Sequence, residues 1–245
     1  MKRMLAAFLC TLMLGLSGCT GGVKNENFLE KAEEQSIELE KEPLIRANVD
    51  GKSLDLSVSQ LESLANEWFV HDEDIHLEQS ESDAGTYSAL LQTGLRLSAA
   101  VNDQGEVTAF YFISQSVEGN EDYPDRSATI ADLQQTCLYL AGCGKEQTKV
   151  IEDALVQRMN DSVLDDQFYY GSYVQDHLKW TRQLVKVDKV SIVQDGVAFS
   201  ESVSDDLYIR SQEYKQDLQE NLADFAEALK GESKETKDDK PDSAK

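Results

Sequence analysis

Along residues 57–69 the apolar positions Val58, Leu61, Leu64, Ala65, Trp68 and Phe69 recur every three to four residues, the period of a helix with one buried side. Ser57 or Ser59 supplies a hydroxyl to cap its first turn. Within the stretch 87–114 the period changes. Leu95, Leu97, Ala99 and Val101 alternate with Arg96, Ser98 and Ala100, and after a turn at 102–105 the run 107–113 is β-branched and aromatic. That pattern predicts a hairpin with one face on a core. Two further helical stripes follow, Ile130, Leu133, Cys137, Leu138 and Ala141, then Val150, Ile151, Ala154, Leu155 and Met159. Gly142 is placed to end the first, so the pair reads as an αα-hairpin with its corner at Cys143-Gly144.

Strand character returns over 168–199, with strands expected near 168–175 and 178–187 and a hairpin around Gln194-Asp195-Gly196, where Asp-Gly is a turn signal. The last stripe, Leu207, Ser211, Tyr214, Leu218, Leu222, Phe225 and Leu229, predicts a long C-terminal amphipathic helix. The fold class expected from these elements is α+β, a mainly antiparallel sheet with an αα-hairpin and that C-terminal helix. Residues 44–230 form the expected single domain. Residues 231–245, all Lys, Glu, Asp and small polar residues around one Pro, read as a disordered charged tail.

Ahead of the domain the pattern has another logic. Lys2 and Arg3 precede an apolar run from Met4 to Leu16, too short for a membrane span of roughly 20 residues but suited to an export signal. The stretch Leu16-Ser17-Gly18-Cys19 resembles the lipobox of bacterial lipoproteins. The resemblance implies removal of residues 1–18 and a diacylglycerol on the Cys19 sulfur, with the new amino terminus acylated in Gram-negative hosts. It also implies a membrane-anchored chain, since two or more acyl chains hold stably where one does not. Thr20, where Asp would favour inner-membrane retention, points in that family to the outer membrane, facing the periplasm; in a Gram-positive host the site is the outer face of the plasma membrane. Residues 19–43 are then a lipidated N-terminus and polar tether, with a weakly amphipathic stretch from Phe28 to Glu42 ended by Pro43.

Charge narrows the partners. The full sequence carries a formal charge of −23, and loss of Lys2 and Arg3 with the leader makes the mature chain more acidic still. Residues 230–245 hold five basic and five acidic side chains, so the excess lies in the body. Such a body is a poor partner for nucleic acid.

The candidate chemistry is sparse. Cys137 and Cys143 are the two cysteines left besides Cys10 and Cys19, and an exported chain makes them a candidate disulfide. His71, Asp74 and His76 are weak metal candidates, because a five-residue spacing puts the two imidazoles on different faces of a strand or helix. The segment 141–148 lacks the glycine and the Ser or Thr that a phosphate-binding loop requires. No Gly-x-Ser-x-Gly elbow is present and no catalytic residue is assigned. Tyr169, Tyr173 and Trp180 lie where a sheet could offer aromatic rings to a sugar or small ligand. The expected function is a non-enzymatic envelope lipoprotein, without cofactor, contacting another envelope protein or polymer. The alternatives are a saccharide- or small-ligand-binding lipoprotein using the aromatic sheet face, and an envelope-polymer hydrolase.

Overall fold

Short turns set the strands and so the sheet. The computed structural model describes residues 24–25, 43–70, 74–81, 84–161 and 167–200. After β1 (Lys24–Asn25), β2 (Ala47–Asn48) and β3 (Ser53–Leu54) comes α1 (Val58–Trp68), whose Ser57 hydroxyl accepts from the Gln60 N–H while the Gln60 side chain accepts from the Ser57 N–H. This reciprocal cap starts the helix one residue from where the spacing put it. Next come β4 (Phe69–Val70), β5 (Glu78–Gln79), β6 (Thr86–Gln92), β7 (Leu95–Val101) and β8 (Val107–Val117). The helices α2 (Ser127–Leu140) and α3 (Lys145–Asp161) follow, then β9 (Phe168–Gln175), β10 (Leu178–Val187) and β11 (Val190–Phe199).

Seven strands form one antiparallel sheet in the order β5-β6-β7-β8-β11-β10-β9. β1 pairs with β4 and β2 with β3 outside it. The fold class expected from the sequence is therefore corrected. Among the described residues the chain is not α+β with a long C-terminal helix but mainly a large antiparallel sheet carrying three helices, 42% strand against 29% helix. The physical reason is the β8–β11 pairing, which joins two locally formed meanders into one sheet, so the helices serve as a cover and not as a second half. The stripe from Leu207 to Leu229 lies outside the described residues, and no long C-terminal helix is among them.

A second correction concerns a turn. Gln194, Asp195 and Gly196 sit in mid-strand on β11, and the β10–β11 turn is made by Asp188 and Lys189, with Asp188 at φ 51°. Gly196 is required for closeness, not for turning: an added Cβ would strike the Tyr111 ring and the Phe110 carbonyl oxygen on β8. The αα-hairpin does close at Gly142, which has φ 80° and donates to Tyr139 O while Cys143 N–H donates to Leu138 O, the pattern of a Schellman end.

Register fixes which side chains share a face. Tyr173, Trp180, Val197, Phe110, Ala99 and Tyr87 form one row across six strands. Three helices cover this face. Trp68 of α1 packs on Phe112, Gln134 of α2 bonds to Arg182, and the Leu155 carbonyl of α3 lies where a Cβ on Gly171 would be. The core sits here, with Leu61, Phe110, Leu97, Leu133, Leu138, Ile151, Trp180 and Val197 fully or almost fully buried. One residue along each strand, Ser172, Thr181, Gly196, Tyr111, Ser98 and Ser88 make the matching row on the opposite face.

Candidate functional site

The strongest concentration of charge among the buried residues lies between the sheet and α2. Asp195 on β11 and Arg182 on β10 are directly opposite in register, so the strand pairing itself brings acid to base. Arg182 Nε donates to both carboxylate oxygens of Asp195, at 3.1 and 2.9 Å, and Nη2 donates to Oδ2 at 2.7 Å. Nη2 also donates to Gln134 Oε1 at 2.9 Å, and Gln134 Nε2 donates to the Thr181 carbonyl at 3.2 Å. Two strands and a helix are thereby tied at one point. Gly171, next in the row beyond Arg182, has no side chain, and α3 settles into that gap.

Electrostatics at this point follow from burial. Asp195 is 1% exposed, and loss of water pushes its carboxyl up to about 6 against the downward pull of Arg182, so it is ionised at neutral pH. Glu152 on α3 is also raised, chiefly by burial, with Arg182 lowering it. Cys137 lies on the same side, and burial, with a contribution from Asp195, pushes its thiol far up. Burial likewise pushes Cys143 up to about 11, helped by Asp176. Both thiols are free and protonated at neutral pH, so neither is a ready nucleophile. Cys137 and Cys143, the candidate pair of the sequence, are both buried as free thiols, Cys137 on α2 and Cys143 in the Schellman turn that ends it.

The other residues singled out by the sequence fall apart as a group. Cys19 and His71 lie outside the described residues. Asp74 and His76 are exposed, alternating with buried Ile75 and Leu77, a pattern set by α1: Asn66 exchanges bonds with the Ile75 backbone, and Glu62 Oε1 accepts from Leu77 N–H at 2.7 Å. Among the described residues no group of His, Cys, Asp and Glu could hold a metal ion. Tyr169, Tyr173 and Trp180 do share one face, as paired register positions require, but it is the helix-covered face. Trp180 is 1% exposed and part of the core, and the Arg158 guanidinium of α3 stands over the Tyr173 ring, 5.2 Å from its centroid. Trp180 is thus packed into the core, while Tyr169 and Tyr173 are half-buried.

Sequence reasoning missed Arg182, Asp195 and Gln134. A charged residue on each of two adjacent strands was the available signal, and assigning Asp195 to a turn concealed it. What the cluster does chemically is hold position: its carboxylate is engaged by a guanidinium with three short contacts and roofed by α2. The chain matches no protein-family model, no curated protein and no solved structure.

Proposed function

We propose that this chain is a lipid-anchored lipoprotein of the bacterial envelope, held by Cys19, whose sheet domain works by contact with another envelope protein or polymer and not by catalysis. The observation that carries the reading is the leader: Lys2 and Arg3, the apolar run to Leu16, and Leu16-Ser17-Gly18-Cys19 in sequence. Support for contact over catalysis comes from the one buried acid–base pair described above, Asp195 with Arg182, which is spent on joining β10, β11 and α2. The acidic body fits a protein or neutral polymer as partner better than a phosphate-rich surface.

The test is fractionation of cells labelled with a fatty-acid tracer. The native chain is expected in the membrane fraction and labelled, and Cys19→Ala unlabelled and released. A Cys19→Ala chain that is exported yet stays membrane-bound would refute the anchor. Crosslinking in intact envelopes tests the second half, and the reading fails there if no specific envelope protein or polymer is recovered.

A further inference from the structure

Strand order gives the sheet an internal comparison. The meanders β6–β8 and β9–β11 meet at the β8–β11 pairing, and a half-turn about an axis between Tyr111 and Gly196 exchanges them. Ser88, Ser98 and Tyr111 then answer to Ser172, Thr181 and Gly196. The hairpin stretches agree as well. Gln92 to Ser98 (QTGLRLS) matches Gln175 to Thr181 (QDHLKWT), with left-handed Gly94 and His177 at the same turn position. The place held by Arg182 and Asp195 in the second half is taken in the first by Ala99 and Phe110, both wholly buried. Hydrocarbon of similar total volume therefore satisfies the architecture at this position, and apolar replacement of a buried ion pair is often neutral or stabilising. What Arg182 and Asp195 add to holding is a response to charge.

That charge is unbalanced. Arg182 and Asp195 both feel Glu152 of α3, and Glu152 feels Arg182, Asp153 on its own helix and Asp132 on α2. Among the described residues this sets four carboxylates around one guanidinium. The other neighbours supply no counter-charge: β9 places Gly171 beside Arg182, β8 places Phe112 beside Asp195, and Cys137 of α2 is a protonated thiol. Arg158 of α3 is turned to the Ser172 carbonyl and the Tyr173 ring, and Lys186, on the same face of β10, is exposed.

The helix that carries Glu152 is lightly held. Of the 17 residues of α3 only Thr148, Ile151 and Leu155 are buried, against eight of the 14 in α2. The Thr148 hydroxyl has no partner among the described residues. Glu152, four residues after Thr148 and three before Leu155, lies on that same side. Elements with few buried contacts are the first to open.

We propose that α3 is a proton-governed strap, which seats on β9 and β10 when the carboxylates around Arg182 take up protons and loosens when they ionise. Its seat is Gly171, where the Leu155 carbonyl and the Met159 backbone fill the space of a side chain. The sign follows from burial, which raises Asp195, Glu152 and Asp132 alike. A carboxyl raised by folding contributes fully below its ordinary range, and that contribution is lost as the pH climbs through the folded value, about 6 for Asp195. The strap depends on neither the membrane anchor nor the envelope partner.

Hydrogen exchange of the full chain at pH 5 and pH 7, corrected for intrinsic rates and read element by element, tests this. Amides of α3 are expected to gain about fivefold in protection at pH 5 relative to those of β7. In Asp195→Asn/Glu152→Gln, whose side chains imitate the protonated acids, α3 should be as protected at pH 7 as at pH 5. Equal protection of the native α3 at both pH values, or a gain shared evenly by α3 and β7, overturns the strap. So does a double variant that keeps the full gain. Should the double variant fail to fold, Glu152→Gln alone decides: a smaller gain than native supports the strap, and an unchanged one overturns it.

Discussion

Two rows of residues cross the sheet one position apart, and they obey different rules. Tyr173, Trp180, Val197, Phe110, Ala99 and Tyr87 face three helices and pack as a hydrocarbon interior. Ser172, Thr181, Gly196, Tyr111, Ser98 and Ser88 are small or hydroxylated, yet five of these six residues are buried. On the first face apolar area does the holding, at about 25 cal/mol per Å², and one ion pair fixes register. On the second face polar atoms must find partners or carry a desolvation cost, and two of them, Thr181 Oγ1 and Gln115 Nε2, have none among the described residues. Burial alone therefore does not reveal which face anchors the fold.

Substitutions that treat the faces differently sharpen the contrast. The largest effect belongs to the first face: Trp180→Ala is expected to cost about 3–5 kcal/mol in denaturant unfolding, because the helices cannot collapse into so large a void. Arg182→Met should cost about 3 kcal/mol, since it leaves Asp195 buried without its guanidinium partner while burial and Glu152 both push its carboxyl up. The carboxyl would then titrate higher still, and an unchanged stability would show that the pair holds nothing. Gly171→Ala and Gly196→Ala form a matched pair, each expected to cost about 1–3 kcal/mol by overpacking. They differ in signature: the first loosens hydrogen-exchange protection in α3, whose backbone it strikes, and the second disturbs the Tyr111 ring.

The pH dependence of Asp195 has a definite sign. Its folded value of about 6 lies above the ordinary 3.8, so its contribution to stability is full below about 4 and lost as the pH rises through about 6. Relative to Asp195→Asn, the native chain should gain about 1 kcal/mol between pH 7 and pH 5. A loss over that range would mean that attraction to Arg182 outweighs burial. The smallest effect is expected on the second face. Thr181→Val removes a buried hydroxyl without a partner and should leave stability unchanged or raise it by up to about 1 kcal/mol. A cost above that would reveal a bond to the hydroxyl.

Much of the local structure was legible because it is encoded by near neighbours. Ser57 with Gln60, Asn102 through Gly105, Gly142, and the strand ends at Gln175 and Leu178 are set by caps and turns within a few residues. What could not be read is what depends on distant pairing. Alternation placed Trp180 and Tyr173 on one face without telling which face the helices would take. The Asp195-Gly196 dipeptide looks like a turn in isolation, and only the approach of Tyr111 and Phe110 from β8 explains its glycine. The Arg182–Asp195 contact required knowing that the turn falls at Asp188-Lys189, seven positions earlier than the dipeptide suggested.

The β8–β11 seam also sets the order of events in folding. β6, β7 and β8 form one meander and β9, β10 and β11 another, each closed by turns of a few residues and able to assemble on the microsecond scale of hairpins. The seam joins Val117 to Val190, a separation of about 70 residues that contains both α2 and α3, so its loop-closure entropy must be overcome before any of its bonds form. Until then β8 and β11 are each an open edge, rich in valine, isoleucine and aromatic residues. That interval is the one in which the chain is most exposed to pairing with another copy of itself.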